Sequence, residues 1–304
     1  MHCYRQLVKP QRFSPMVKIA LGTAQFGLTY GVANQTGKVD LEEVSQILTL
    51  AKQSGVDTLD TAIAYGDAES MLGRIGCSTW NVISKLPPIP PGIADVSAWV
   101  QSEVRRSLDR LKITTLHGLL LHQPSDLLGV HAKDLIGSLL NLKSQGLVSK
   151  LGVSIYSSND LDELIALPVI DLVQAPMNIV DRGIENSGWL AKLGHRAVEV
   201  HTRSVFLQGV LVMSPDERPR WLSMWSEIFN AWDAWISDSG MSRVEACLAH
   251  VRSYPEIDRI VIGVDSADQI RQILEALEVP PLRAPITLES DDQGLINPSL
   301  WVTT

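Results

Sequence analysis

Eight short apolar runs, rich in β-branched residues and separated by longer stretches with helical spacing, leave this chain few folds to choose from. The runs are VKIALG at 17–22, VDTLD at 56–60, NVISKL at 81–86, HGLLLH at 117–122, KLGVSI at 150–155, IDLVQA at 170–175, AVEVHTRSVF at 197–206 and RIVIGV at 259–264. Strands that alternate with helices pair in parallel through crossover connections. Their near-continuous apolar character suits a sheet covered on both faces. Eight such units in 304 residues predict an α/β fold, a closed (β/α)8 TIM barrel. One domain is expected over 1–304, with a core at about 17–278 and an irregular tail at 280–304.

Helices are expected at 40–54, 95–111, 130–145, 159–166 and 266–278. Asp40 with Glu43 three residues on, Asp95, Asn159 and Ser266 supply start signals, and Gly146 closes the third helix. Between 210 and 255, Trp221, Trp225, Phe229, Trp232 and Trp235 recur every three or four residues. That spacing predicts an amphipathic helix packed on the barrel, and no chemistry is assigned to it.

Composition removes several function classes. A formal net charge of −8 argues against a nucleic-acid partner, because phosphate binders concentrate Lys and Arg. Cys3, Cys77 and Cys247 are odd in number and widely spaced, so neither a zinc site nor a disulfide framework is expected. No apolar run approaches the roughly 18 residues of a membrane span, and the opening segment lacks the apolar stretch of a signal peptide. A cytoplasmic protein with no membrane partner is the expectation. Nothing reads as a coiled-coil seam, so a monomer or weak homodimer is expected.

A barrel of this type collects its reactive groups where the strands end. Asp60 closes the second run, Tyr65 follows in the loop, Lys85 nearly closes the third run and His122 closes the fourth. A free phenol, with a pKa of about 10, is a poor acid near neutrality, and an adjacent ammonium is expected to favour its phenolate. Lys85 is that ammonium, and Asp60 is the carboxylate that answers its buried charge. His122 is placed to hydrogen-bond a carbonyl oxygen as alkoxide character develops. The set suits delivery of a proton to a carbonyl oxygen while a hydride reaches the carbon. Two other readings use the same residues: Lys85 as the Schiff-base amine of an aldolase or lyase, and a nucleotide-sensing barrel with little turnover.

The segments LGTAQFG at 21–27, DTAIAYG at 60–66, ISKL at 83–86, SEVRRSLDRLKITTLHGLLLHQP at 102–124, GVS at 152–154 and VQAPMN at 173–178 resemble, in order, the signatures of the aldo-keto reductases. The resemblance implies a catalytic tetrad of Asp60, Tyr65, Lys85 and His122, acting on an aldehyde or ketone with Tyr65 as general acid. It also implies a nicotinamide dinucleotide lying across the barrel mouth, without a separate dinucleotide-binding domain. Gly22, Thr23 and Ala24 would border the nicotinamide, and Ser154 and Gln174 would meet its carboxamide. Ser204, Phe206, Ser266 and Gln272 belong to the same implied cofactor site.

Three departures from the family pattern bear on that implication. Ile155 follows Ser154 where the family often has Asn, and Arg203 stands where an aromatic residue usually stacks on the nicotinamide. A guanidinium plane is able to take that role. Gly263 and Gln269 stand where the family commonly places basic residues, with Asp265 adding negative charge and Arg271 the nearby cation. NADP(H) is the cofactor the resemblance implies, and Asp265 keeps NAD(H) open, since a carboxylate accepts ribose hydroxyls and repels a phosphate. Phe26, Tyr30, the loop Pro87–Pro91, Gln123 and Trp301 are candidate walls for a small carbonyl substrate. Asn34 and Gln35 hint at a hydroxylated, sugar-like one.

Overall fold

Each apolar run becomes one strand of the computed structural model, which describes residues 18–34 and 37–301. The strands are β1 Lys18–Gly22, β2 Thr58–Asp60, β3 Asn81–Leu86, β4 Leu116–Leu121, β5 Val148–Ser154, β6 Leu172–Pro176, β7 Glu199–Arg203 and β8 Arg259–Gly263. They pair in parallel in chain order and close through β1 and β8 into a barrel. The longest run, 197–206, yields only Glu199–Arg203, because Ala197 and Ser204 flank it with positive φ angles of 56° and 61°. Cys3 and Gln35 lie outside the described residues, whereas Cys77 and Cys247 are buried free thiols.

The barrel interior is layered. Ile83, Leu120 and Leu172 form an apolar cluster of their own, apart from the larger core between sheet and helices. Gly118 makes room for it, since a Cβ there would stand 2.7 Å from Ile83 Cδ1. Side chains above this plug point into the mouth, and those below form a polar floor. Layers of inward side chains fill such barrels rather than leaving a pore.

The helices follow their caps. Asp40 accepts from Glu43 N at 2.9 Å and opens Leu41–Gln53, Asp95 opens Val96–Leu111, and Ser266 opens Ala267–Ala276. The helix Ala132–Ser144 also forms, while the stretch expected at 159–166 shortens to Leu161–Leu164. Two helices without a sequence forecast, Ala68–Ile75 and Trp189–His195, start after Asp67 and Gly188, neither of which makes a side-chain N-cap bond.

The tryptophan stripe is not one helix. Trp221 and Trp225 lie in a tight 3₁₀ stretch, Arg220–Trp225, and the α-helix Ser226–Ser239 begins only afterwards. It ends at Gly240 in the left-handed region, and Arg243–Arg252 follows from a Ser242 capping box. Phe229 and Trp232 pack inward, with Trp232 Nε1 donating to Leu211 O at 3.1 Å. Trp221 instead meets Trp301, their ring centroids 4.9 Å apart. The C-terminal segment therefore docks on the barrel through Trp301, Leu288 and Leu295, and Arg182 donates to Pro285 O at 2.8 Å. Among the described residues no helix is long and apolar enough to cross a membrane.

Candidate active site

Asp60 ends β2 with its side chain inside the barrel, and its two carboxylate oxygens are held from opposite sides. Lys85 Nζ, from β3, donates to Oδ1 at 2.5 Å and to Thr61 O at 3.0 Å. Gln174 Nε2, from β6 across the barrel, donates to Oδ2 at 2.6 Å, and Ser154 Oγ donates to Gln174 Oε1 at 3.2 Å. Thr23 fixes the Asp60 backbone, its N–H and hydroxyl both donating to Asp60 O. A buried ammonium is tolerable only with such partners. Burial pushes the Lys85 pKa down, while the Asp60 carboxylate and its hydrogen bond push it back up.

Tyr65 is brought beside this pair by a close backbone approach. A Cβ on Gly27 would sit 1.8 Å from Tyr65 O, and Gly66 turns with φ of 55° against Gly27. Only glycine at both positions lets the loop after β2 press on Ala24–Gly27. The Lys85 Nζ stands 5.2 Å from the Tyr65 ring centroid, and the His122 ring 5.8 Å from it at 53°. His122 follows directly on β4, its N–H donating to Leu86 O at 3.0 Å.

The electrostatics amend one expectation. The phenol of Tyr65 is not lowered toward neutrality: burial pushes its pKa up, and the Asp60 carboxylate adds to that, against a downward pull from Arg203. Tyr65 therefore keeps its proton until a partner draws it off. Burial, and next the Lys85 cation, lower His122 to about 4, with Asp60 opposing, so its ring is neutral at pH 7.

A cleft of about 380 Å³ opens beside these groups. Gly22, Thr23, Ala24, Asp60, Tyr65, Gln174, Arg203, Ser204, Phe206, Gly263, Asp265, Gln269 and Gln272 all line it. Lys85 and Ser154 lie buried off the cleft wall and bond to Asp60 and Gln174, which do line it, while Ser266 is spent on capping, its Oγ accepting from Gln269 N at 3.2 Å. Ile155 turns its side chain into the core and offers its carbonyl to Arg203 NH2 at 2.9 Å. The Arg203 guanidinium lies over the Tyr156 ring at 4.7 Å. Tyr30 and Asn34 line the cleft, whereas Phe26 is fully buried in the core, so the expectation that it forms a wall fails. The Pro87–Pro91 loop, Gln123 and Trp301 do not line the cleft either. Gln25, unmarked in the sequence, does; its signal was adjacency to Ala24 in the LGTAQFG run.

The residues present fit an extended dinucleotide. Gly22 and Gly263, paired across the β1–β8 join, line the cleft without side chains of their own, and the Gln25 side chain fills the space a Cβ at Gly263 would take, 2.4 Å from its Nε2. Pockets of this size with a few convergent polar groups are typical ligand sites.

A family model described as "Aldo/keto reductase family" matches residues 18–285. A curated aldo-keto reductase from Mycolicibacterium vanbaalenii is 31% identical over 137 residues, 43% of this chain and 47% of that protein. Another, from Mycolicibacterium smegmatis, is 26% identical over 137 residues, 43% of this chain and 46% of its own length. The match thus spans about half the length of these two relatives. Among solved structures, the holo form of an aldo-keto reductase from Bacillus halodurans superposes with a TM-score of 0.70 at 19% identity, over 87% of this chain and 88% of that one. At that identity the likeness speaks for the fold alone.

Proposed function

The chain belongs to the aldo/keto reductase family, and from that premise we propose that it reduces an aldehyde or ketone to an alcohol with a nicotinamide cofactor, Tyr65 serving as general acid. The observation that carries this reading is the meeting of Tyr65, which lines the cleft, with the His122 ring and the buried Lys85–Asp60 pair. A reduced nicotinamide, when bound, supplies the hydride. Gly22, Thr23, Ala24, Gln174, Arg203, Ser204 and Phe206 are the residues that would hold it.

The chain's own groups handle the proton. A Tyr65 phenol held above its usual pKa retains its hydrogen and releases it as negative charge grows on a carbonyl oxygen beside it. The Lys85 ammonium, kept charged by Asp60, then lies near enough to stabilise the phenolate left behind. A neutral His122 ring offers an N–H to the same oxygen and orients it. Arg203 supplies a flat cationic surface, itself stacked on Tyr156. The catalytic unit is proposed to be a monomer or weak homodimer acting on a small carbonyl compound.

The test is direct. Purified protein mixed with NADH or NADPH and a reactive aromatic aldehyde consumes the cofactor in step with alcohol formation, and borohydride traps no substrate on Lys85. A Lys85 adduct would favour a Schiff-base lyase, and tight cofactor binding with no turnover on a broad carbonyl panel would favour a nucleotide sensor.

A further inference from the structure

The two ends of the cleft carry opposite charge. Among the described residues, Arg203 is the one Lys or Arg on its wall, and it stands at the reacting end with Tyr65 and Gln174. The far end, past Gly263, is formed by Asp265, Gln269 and Gln272. If the reacting ring lies by Tyr65, as the proposed function requires, the rest of a dinucleotide runs outward along Gly22 and Gly263 to this end.

A helix N-terminus is present there and would ordinarily favour an anion. In this chain two of its donors are taken by the protein's own groups. Ala267 N donates to the Glu43 carboxylate at 2.5 Å, and Gln269 N donates to Ser266 Oγ at 3.2 Å. Just before the helix, Asp265 N donates to Gln269 Oε1 at 2.7 Å, and Asn34 Nδ2 reaches Asp265 Oδ1 at 3.3 Å. Arg271 is turned to Asp268 on the exposed face of the same helix. The far end thus shows a carboxylate with spare acceptor capacity and a second carboxylate seated on the helix dipole.

We infer that Asp265 and Glu43 make this chain select NADH over NADPH: Asp265 accepts the ribose hydroxyls of the adenosine half, and Glu43 occupies the anion position that a 2′-phosphate would need. A carboxylate has lone pairs for more than one donor, so holding Asn34 leaves room for a ribose hydroxyl. A phosphate dianion there would meet the Asp265 carboxylate on the wall and the Glu43 carboxylate on Ala267 N, with no Lys or Arg among the described residues lining this end of the cleft. This inference rests on reading the cleft as a dinucleotide site.

Titrations of the full-length protein, followed by quenching of its tryptophan fluorescence and by calorimetry, separate the outcomes. NADH binds at least about tenfold more tightly than NADPH. Added salt narrows the gap, because it screens a repulsion. The double variant Glu43→Gln with Asp265→Asn raises NADPH affinity by about tenfold and leaves NADH equal or weaker. Gln272→Arg, which keeps both carboxylates, also raises NADPH affinity. Equal or tighter NADPH binding by the unaltered protein, or a gap that widens with salt, overturns the selectivity and leaves the reductase reading intact. Failure of both dinucleotides to bind overturns the two together.

Discussion

The barrel carries two ion clusters, a buried one at the mouth and a partly exposed one at the floor, and only the first is left chemically open. At the floor, Lys150 of β5 and Glu199 of β7 meet across the interior, His201 Nε2 lies 2.7 Å from Glu199 Oε1, and Arg259 Nε donates to Thr58 Oγ1 at 3.2 Å while facing Asp57 at 3.6 Å. At the mouth, Asp60, Lys85, Gln174 and Ser154 are as fully bonded, but Tyr65 and His122 stand beside them with neither hydroxyl nor ring in a hydrogen bond among the described residues. The floor's charges answer one another. The mouth holds its charges in place beside Tyr65, which lines the cleft, and the His122 ring that packs against it. An ion cluster inside a barrel is therefore weak evidence for a site until unengaged groups and an opening accompany it.

Variants at the two ends break or sharpen this contrast. Tyr65→Phe has the largest expected effect, a loss of about 10²- to 10⁴-fold in kcat/KM with dinucleotide binding still measurable by titration. An unchanged rate would remove Tyr65 from its role. In the unaltered protein, the acid limb of the kcat/KM profile expected from His122 lies near pH 4 rather than at the ordinary histidine value, and His122→Gln abolishes it. Lys85→Met strands the buried Asp60 charge and lowers unfolding stability by about 3–5 kcal/mol in denaturant titrations.

At the floor, Glu199→Gln acts on stability and leaves turnover within roughly twofold. Burial tends to raise Glu199, but the hydrogen bonds from His201 and Lys150 outweigh it and hold the carboxyl at about 2. A folded value below the usual 4.5 means that the contribution is present above pH 4.5 and is lost as pH falls toward 2. The variant flattens that acid slope, by up to about 3 kcal/mol in unfolding measured across the same pH window. The smallest effect is at Thr202, whose buried hydroxyl has no hydrogen-bond partner among the described residues. Thr202→Val is neutral or stabilising by less than about 1 kcal/mol in thermal melts.

How much was legible follows the range of each interaction. The strand runs, the Asp40, Asp95 and Ser266 caps and the placing of Asp60, Lys85 and His122 at strand ends are local patterns, and all of them are found in the fold. The tryptophan stripe misled because its spacing suited a helix, yet Trp221 and Trp225 fall before the helix and Trp221 packs on Trp301. Phe26 was equally ambiguous: an aromatic residue after β1 faces the cleft or the core according to how the short turn Ala24–Gly27 is seated, and here it faces the core. The upward shift of Tyr65 depends on burial, which no run of residues displays.

By itself the amino-acid order determined the (β/α)8 architecture and the strand-end placing of Asp60, Lys85 and His122, because periodicity, caps and strand-end residues act over a few positions. Barrel closure decided the rest. It set β6 opposite β2, so that Gln174 reaches Asp60 across 114 residues, and it carried the first turn of Leu41–Gln53 to the helix after β8, so that Glu43 meets Ala267 across 224. Contacts between such distant positions leave no trace in local spacing, because each partner's neighbours in sequence are chosen to build its own strand or helix.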